Sequence, residues 1–97
     1  MKRIEPESVG DVLRNLLQEA ELQGRMDELK AVELWPKTVG HAIASECGKP
    51  TVKKGVMSVG VKNASLRNEL HMSRTTLRRL INEEIGKETI TEIKFVS

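Results

Sequence analysis

Three uncommon residues within one short segment could in principle form a reactive site. The 97-residue chain has one tryptophan, Trp35, and one cysteine, Cys47, and one of its two histidines, His41, lies between them. A zinc site needs three or four ligands, so one cysteine and one nearby histidine are too few. Six residues apart on a helix, His41 and Cys47 would point to opposite sides. We therefore expect no metal and no catalytic thiol here.

These three residues have simpler interpretations. Cys47 is expected to be a small apolar residue or an incidental thiol, and His41 a partly exposed polar position. Trp35 is expected to be a core anchor between a helical layer and a sheet, with a hot spot facing a partner as the alternative. Elsewhere in the sequence, no paired carboxylates, no nucleophile with its base and no Walker phosphate loop occur at a suitable spacing. The sequence predicts no enzyme, no cofactor and no small-molecule substrate.

The residues best suited to bind a ligand form a basic stripe on a predicted helix. Arg67, His71, Arg74 and Arg78 are spaced by four, three and four residues, which places them within about 60° of one another at 100° per residue. The stripe would lie about a quarter turn from the apolar face, and it could be extended by lysines of a neighbouring hairpin, namely Lys53, Lys54 and Lys62.

Two interpretations of this stripe remain open. It can be an electrostatic track for phosphates, with an affinity that falls steeply with salt, or a solvated helix face whose long side chains cover apolar surface. Stacking of bases on aromatic platforms is not expected, because the chain has one Trp, one Phe and no Tyr. No two glycines have the G-x-x-G spacing with which KH domains grip single strands.

Composition predicts one compact domain over residues 1–97. The chain is 38% apolar and 31% charged, which is ordinary for a folded protein, and its length fits one domain. A signal peptide and a membrane helix are not expected, because no apolar run of the required length occurs. We expect a cytoplasmic protein that does not contact membranes.

Charge is unevenly distributed along the chain. Residues 1–47 carry six basic and nine acidic side chains, whereas residues 48–97 carry ten and five, within a total net charge of +2. An acidic and a basic half can face different partners. The acids of the first helix suit a protein partner, but its helix dipole explains them equally well; these are Glu5, Glu7, Asp11, Glu19 and Glu21.

Apolar periodicity predicts three helices in the first half. A first amphipathic helix carries Val9, Val12, Leu13, Leu16, Leu17 and Ala20, and it fades near Gly24. Asp27 is expected to cap a second helix, which ends at Trp35 because Pro36 disfavours a helical residue before it. A third helix is expected to start at Pro36 and to bury Val39, Ala42 and Ile43.

The second half predicts a hairpin, a long helix and a last strand. Met57, Val59 and Val61 alternate with polar residues after a turn around Lys54 and Gly55. Asn63 or Ser65 is expected to cap a helix that buries Leu70 and Leu77 and ends at Gly86. Ile93 and Phe95 mark the last strand. The predicted class is α+β in the order α-α-α-β-β-α-β, with the helices on one face of a three-stranded sheet.

An ordered set of residues extends over nearly the whole chain, from about Leu13 to Val96. It consists of Trp35, Val39, Gly40, Ile43, Ala44, Gly55, Val59, Val61, Asn63, Ala64, Ser65, Glu69, Leu70, Ile81, Asn82, Ile85, Gly86, Ile93, Lys94 and Phe95. In the order and spacing of these residues, the chain resembles the DciA family of bacteria. Two features differ: Leu66 stands where many members have an aromatic residue, and the long basic tail of many members does not follow.

The resemblance implies a KH-like fold and a function in DNA replication. Members of the family act as operators or loaders of the hexameric replicative DNA helicase and contact single-stranded DNA. We therefore expect a non-enzymatic accessory protein that binds this helicase and assists its loading, with weak, non-specific binding of single-stranded DNA because the basic tail is missing. The alternative is a general module that binds RNA or DNA without a helicase partner.

Overall fold

The structure, a computed structural model, describes residues 6–97, so the predicted acidic position Glu5 lies outside the described residues. The α+β class and the three-stranded sheet are as predicted, but the helices are divided differently. Two helices precede the strands and two lie between the second and third strand. The elements in order are α1 (Pro6–Val39), α2 (His41–Ser45), β1 (Thr51–Lys53), β2 (Val56–Gly60), α3 (Ala64–Met72), α4 (Arg74–Ile85) and β3 (Glu92–Val96).

The sheet has the order β1-β2-β3 and is mixed. β1 and β2 form an antiparallel hairpin, with Val52 opposite Met57. β3 is parallel to β2, with Met57 opposite Ile93 and Val59 opposite Phe95. A parallel neighbour requires a crossover connection, which α3 and α4 provide. The predicted alternation is confirmed, because Met57, Val59 and Ile93 are buried on one face.

Trp35 lies at the centre of the core. It is 1% exposed, and its ring centroid is 5.9 Å from that of Phe95 on β3. Leu70 and Leu77 are also buried, while Val39, Ile43 and Phe95 are half-buried and pack against the core. The largest fully buried side chains besides Trp35 are Met57, Ile81, Ile90, Val59 and Val61. Helix α1, the crossover helices and the sheet therefore share one core.

The predicted break between a first and a second helix is wrong, because α1 runs through both. A glycine inside a helix costs only about 1 kcal/mol relative to alanine, which a long helix tolerates, and Gly24 lies within α1. Asp27 is not a cap. Its carboxylate lies 2.7 Å from Lys87 Nζ and accepts a hydrogen bond of 3.0 Å from Gln23. A tertiary ion pair thus occupies the side chain that local sequence assigned to capping.

The predicted break at Trp35 and the predicted third helix from Pro36 are also wrong. Pro36 lies inside α1, one turn before its end at Val39. The proline lacks an amide hydrogen, but its carbonyl still accepts a hydrogen bond from the Gly40 amide at 3.0 Å. Gly40 has a φ of 93°, which suits glycine. The helix therefore ends at the glycine, and Ala42 is exposed on the short α2.

The single long helix predicted after the hairpin is divided at Ser73. Asn63 caps its start, since the Asn63 side chain accepts from the Leu66 amide at 3.0 Å. The Ser73 amide is shared between the carbonyls of Glu69 and Leu70, both at 3.1 Å. Such shared bonding marks a local distortion of a helix end. The predicted stop at Gly86 is confirmed by its left-handed conformation, with a φ of 95°.

One buried asparagine fastens the loop that returns from α4 to the sheet. The Asn82 amide nitrogen donates to the Ile90 carbonyl at 2.9 Å, and its oxygen accepts from the amides of Thr89 at 3.1 Å and Ile90 at 2.8 Å. The adjacent Gly55 carbonyl accepts from the Thr91 amide at 2.8 Å. Because buried polar groups need partners, this network fixes the loop beside the hairpin turn.

Candidate nucleic-acid interface

The first pair of the basic stripe lies on α3 beside the end of β2. Arg67 and His71 line a shallow depression of about 270 Å³ together with Phe95. Arg67 Nη1 donates to the Val61 carbonyl at 2.8 Å, which anchors the half-buried side chain. His71 is exposed. Because a carbonyl is neutral, this contact does not balance the charge of the Arg67 guanidinium.

The second pair lies beyond Ser73, on α4. Arg74 is exposed, and its Nη1 donates to the His71 carbonyl at 2.8 Å, at the end of α3. Arg78 instead pairs with Glu88 at 3.1 Å, and its side chain is 30% exposed. Two arginines of the stripe therefore contact neutral carbonyls, whereas the charge of Arg78 is partly balanced.

The structure keeps the four stripe residues on one crossover but not on one continuous helix. Arg67 and His71 belong to one depression, and Arg78 lines another, of about 490 Å³, with Arg79 and Lys87. The Arg74 bond to the His71 carbonyl links the two pairs across Ser73. The arrangement presents fixed cations along the crossover, and such cations suit the regularly spaced phosphates of a nucleic acid.

The three lysines expected to extend the stripe lie at different places. Lys62 is adjacent, since its carbonyl is 3.5 Å from Arg67 Nη1. Lys54 lies in the hairpin turn with a φ of 51°, at the opposite end of β2. Lys53 is on the edge strand β1, opposite Val56, and the alternation of the sheet places it on the face away from the core. The structure therefore brings only Lys62 next to Arg67.

Sequence reasoning missed two further cations. Lys94 on β3 is exposed and lies opposite Ser58, and its alternation with Ile93 and Phe95 was the signal that places it on the open face of the sheet. Arg79 on α4 pairs with Glu83 at 2.9 Å, and both side chains are more than half exposed. Neither residue continues the stripe.

The segment around Trp35 and Cys47 lines a groove with a volume of about 710 Å³. Burial raises the pKa of the Cys47 thiol, and the nearby Glu46 carboxylate adds to the effect, so the thiol stays protonated at neutral pH. His41 is exposed at the start of α2. Within residues 6–97, no group of three His, Cys, Asp or Glu side chains could hold a metal ion.

These features define a small α+β domain whose helical crossover carries Arg67, His71, Arg74 and Arg78. A family model described as "Dna[CI] antecedent, DciA" matches residues 8–95. The chain therefore belongs to the DciA family, which is known for loading or operating the replicative DNA helicase and is not catalytic. None of the described helices is long and apolar enough to cross a membrane.

A curated relative supports this assignment at low identity. The chain is 23% identical over 90 residues to a UPF0232 protein of Mycobacterium marinum (strain ATCC BAA-535 / M). The alignment covers 93% of this chain and 48% of the relative, so the chain spans about half the length of that protein. The similarity therefore concerns this domain and not the whole relative.

Proposed function

We propose that this chain is a non-enzymatic accessory of the replicative DNA helicase, which binds the hexameric helicase and assists its loading on single-stranded DNA. The observation that carries the proposal is the family match over residues 8–95. Without a phosphate-binding loop for ATP, the chain acts through binding energy alone. Its contribution is to hold helicase and DNA in proximity.

The crossover supports the contact with DNA. The track, formed by Arg67, His71, Arg74 and Arg78, offers at most three permanent positive charges, and Glu88 partly balances one of them. Each phosphate contact contributes about 0.7 to the slope of log affinity against log salt for a single strand. Three contacts give a slope of about −2, which corresponds to weak binding without sequence preference.

Association with the helicase is tested directly by size-exclusion chromatography of the purified chain with the replicative helicase of the same organism. Under the proposal the chain elutes with the hexamer. Failure to co-elute at micromolar concentrations, with the chain still folded by circular dichroism, would contradict it.

The track is tested with a double substitution, Arg74→Gln and Arg78→Gln, measured by fluorescence anisotropy on labelled single-stranded DNA. Arg67 stays in place, because its loss would leave the Val61 carbonyl without its donor. The control, Arg14→Gln with Arg79→Gln, removes the same charge from two exposed arginines outside the track. We expect the salt slope to fall by about 1.4 in the test variant, with a clearly smaller change in the control.

The same measurements separate the alternative function, a general nucleic-acid-binding module. The cationic crossover favours it, because phosphate contacts alone carry no sequence information. Under the alternative, the test variant loses nucleic-acid binding and the parent chain never co-elutes with the helicase. Under the proposal, helicase association persists when DNA binding is weakened.

A further inference from the structure

The N-terminal part of α1 carries an apolar surface that the chain itself leaves uncovered. Every residue from 9 to 26 is exposed, and the described fold extends 64 Å along its longest axis. Leu13 is 58% exposed and Leu17 66% exposed. We call residues 9–26 the arm, and its apolar face consists of Val9, Val12, Leu13, Leu16, Leu17 and Ala20.

The arm face continues the face of α1 that is buried in the core. Eighteen residues are five turns of an α-helix, so Leu13 lies in line with Ala31, and Leu17 in line with Trp35. Ala31 is 0% exposed and Trp35 is 1% exposed. One side of one helix is therefore buried in the domain and then runs out into solvent for about 27 Å.

Within the domain, this face is covered by a helix that is apolar on one side. Helix α4 packs against α1 and contributes Leu77 and Ile81 to the core. Its three arginines are offset by two glutamates, and two of the arginines pair with carboxylates of this chain. Just after α4, Lys87 Nζ lies 2.7 Å from the carboxylate of Asp27, on the buried face of α1.

The margins of the arm face are acidic. At 100° per residue, Glu19 and Glu21 lie on opposite sides of the face, each about a quarter turn from its centre. Asp11 and Arg14 pair with each other at 2.7 Å and contribute no net charge. A second copy of the chain would bring glutamates together, which is unfavourable, whereas lysine or arginine side chains would be attracted.

We propose that the arm docks a helix of another protein that is apolar along one face and carries lysine or arginine at the margins of that face. The docked helix lies along the arm as α4 lies along the inner half of α1, with anchors spaced three and four residues apart. The proposal does not depend on whether the helicase is the partner.

Two synthetic peptides test the surface without any assumption about the natural partner. Both are 21-residue amphipathic helices with leucine at the a and d positions of each heptad. One has lysine at the flanking e and g positions and the other has glutamate there. Binding to the full chain is measured by fluorescence anisotropy near 0.15 M salt, and sedimentation equilibrium gives the oligomeric state of the chain alone.

Two matched double variants locate the binding. Leu13→Gln with Leu17→Gln removes apolar surface from the arm face, while Leu22→Gln with Met26→Gln removes it outside that face, at about 150° and 110° from its centre. Glutamine has a good helix propensity, so the helix is retained in both. None of the four residues is buried, so the domain should keep its unfolding midpoint.

The proposal expects the lysine peptide to bind at least tenfold more tightly than the glutamate peptide. It also expects at least a tenfold loss in the Leu13/Leu17 variant and less than a threefold loss in the Leu22/Met26 variant. The proposal is overturned by absent binding, by equal binding of the two peptides, or by equal losses in the two variants. A dimer of the chain that the Leu13/Leu17 substitutions disrupt would equally overturn it, by assigning the face to a second copy.

Discussion

Helix α1 contains two halves with the same apolar pattern and opposite environments. In residues 27–39 the apolar face is covered by α4 and the sheet, and Ala31 and Trp35 are almost fully buried. In residues 9–26 the aligned face is exposed, with Leu17 at 66%. Periodicity therefore identifies which side of a helix avoids water, but only the tertiary structure decides whether that side is covered.

The strongest test of this comparison replaces one residue in each half. Trp35→Ala removes a buried aromatic side chain, for which we expect a loss of about 3 to 5 kcal/mol in the free energy of unfolding. Leu17→Ala, five turns earlier on the same side, should change it by less than about 0.5 kcal/mol. Urea unfolding measures both effects. It is followed by circular dichroism and not by tryptophan fluorescence, because the Trp35→Ala variant has no tryptophan left. Equal effects would show that the arm packs on something within the chain.

The next test concerns the loop that carries Lys87 and Ile90 to the inner half. Asn82→Ala removes three hydrogen bonds to this loop and leaves buried backbone groups without partners, at an expected cost of about 2 to 3 kcal/mol. Asn15→Ala on the exposed arm is the control and should be neutral or slightly stabilising, since alanine favours helix. The urea unfolding midpoints of the two variants are compared with that of the parent chain. A neutral Asn82→Ala would mean that the loop is held by packing alone.

Two glycines give a smaller contrast with opposite signs. Gly55 has a φ of 82°, and an added Cβ would lie 3.1 Å from Thr91 Oγ1 and 3.3 Å from the Thr89 carbonyl. Gly55→Ala should therefore destabilise by about 1 to 2 kcal/mol. An added Cβ at Gly24, in the arm, would meet nothing within 4 Å. Gly24→Ala should therefore stabilise the helix locally by up to about 1 kcal/mol and raise the helix content. Thermal unfolding and far-ultraviolet circular dichroism test both signs.

The ion pair of the inner half makes the stability of the chain depend on pH. The hydrogen bond from Lys87 lowers the pKa of Asp27 below its ordinary value of 3.8, in spite of burial, which acts in the opposite direction. A carboxyl group with a lowered pKa in the folded state stabilises the protein above the ordinary value, and this contribution is lost as the pH falls through the folded-state pKa.

Asp27→Asn should therefore destabilise the chain at pH 7, and its difference from the parent should shrink as the pH falls below about 3.8. Asp11→Asn, which breaks the exposed Asp11–Arg14 pair of the arm, is the control and should change the stability at pH 7 very little. Urea unfolding at a series of pH values measures the differences. A pH-independent effect of Asp27→Asn would indicate that shape, not charge, is what matters at that position.

The sheet could be predicted from the sequence because its signals are local. Alternation of Met57 and Val59 with polar residues marks a strand with one buried face, and Gly55 supplies the turn. Ile93 and Phe95 repeat the alternation in the last strand. These signals need no knowledge of distant contacts.

The helix boundaries could not be predicted in the same way, because distant contacts override local signals. Asp27 resembles a cap, yet Lys87, sixty residues later, binds it within α1. Pro36 predicts a break, but the helix continues to Gly40, which ends it. No residue type marks the distortion at Ser73, so the two pairs of the basic stripe were expected on one helix. Spacing could not predict the partners of the stripe residues, such as Glu88 for Arg78.

Loading of the helicase onto closed circular single-stranded DNA tests the central claim most directly. A circle has no free end, so a closed hexameric ring must open before it can encircle the DNA. The amount of replicative helicase retained on the circles is measured with and without the chain, at equal helicase concentration. The account predicts a severalfold increase with the chain, reduced in the Arg74→Gln, Arg78→Gln variant. An unchanged amount of loaded helicase in the presence of the folded parent chain would contradict it.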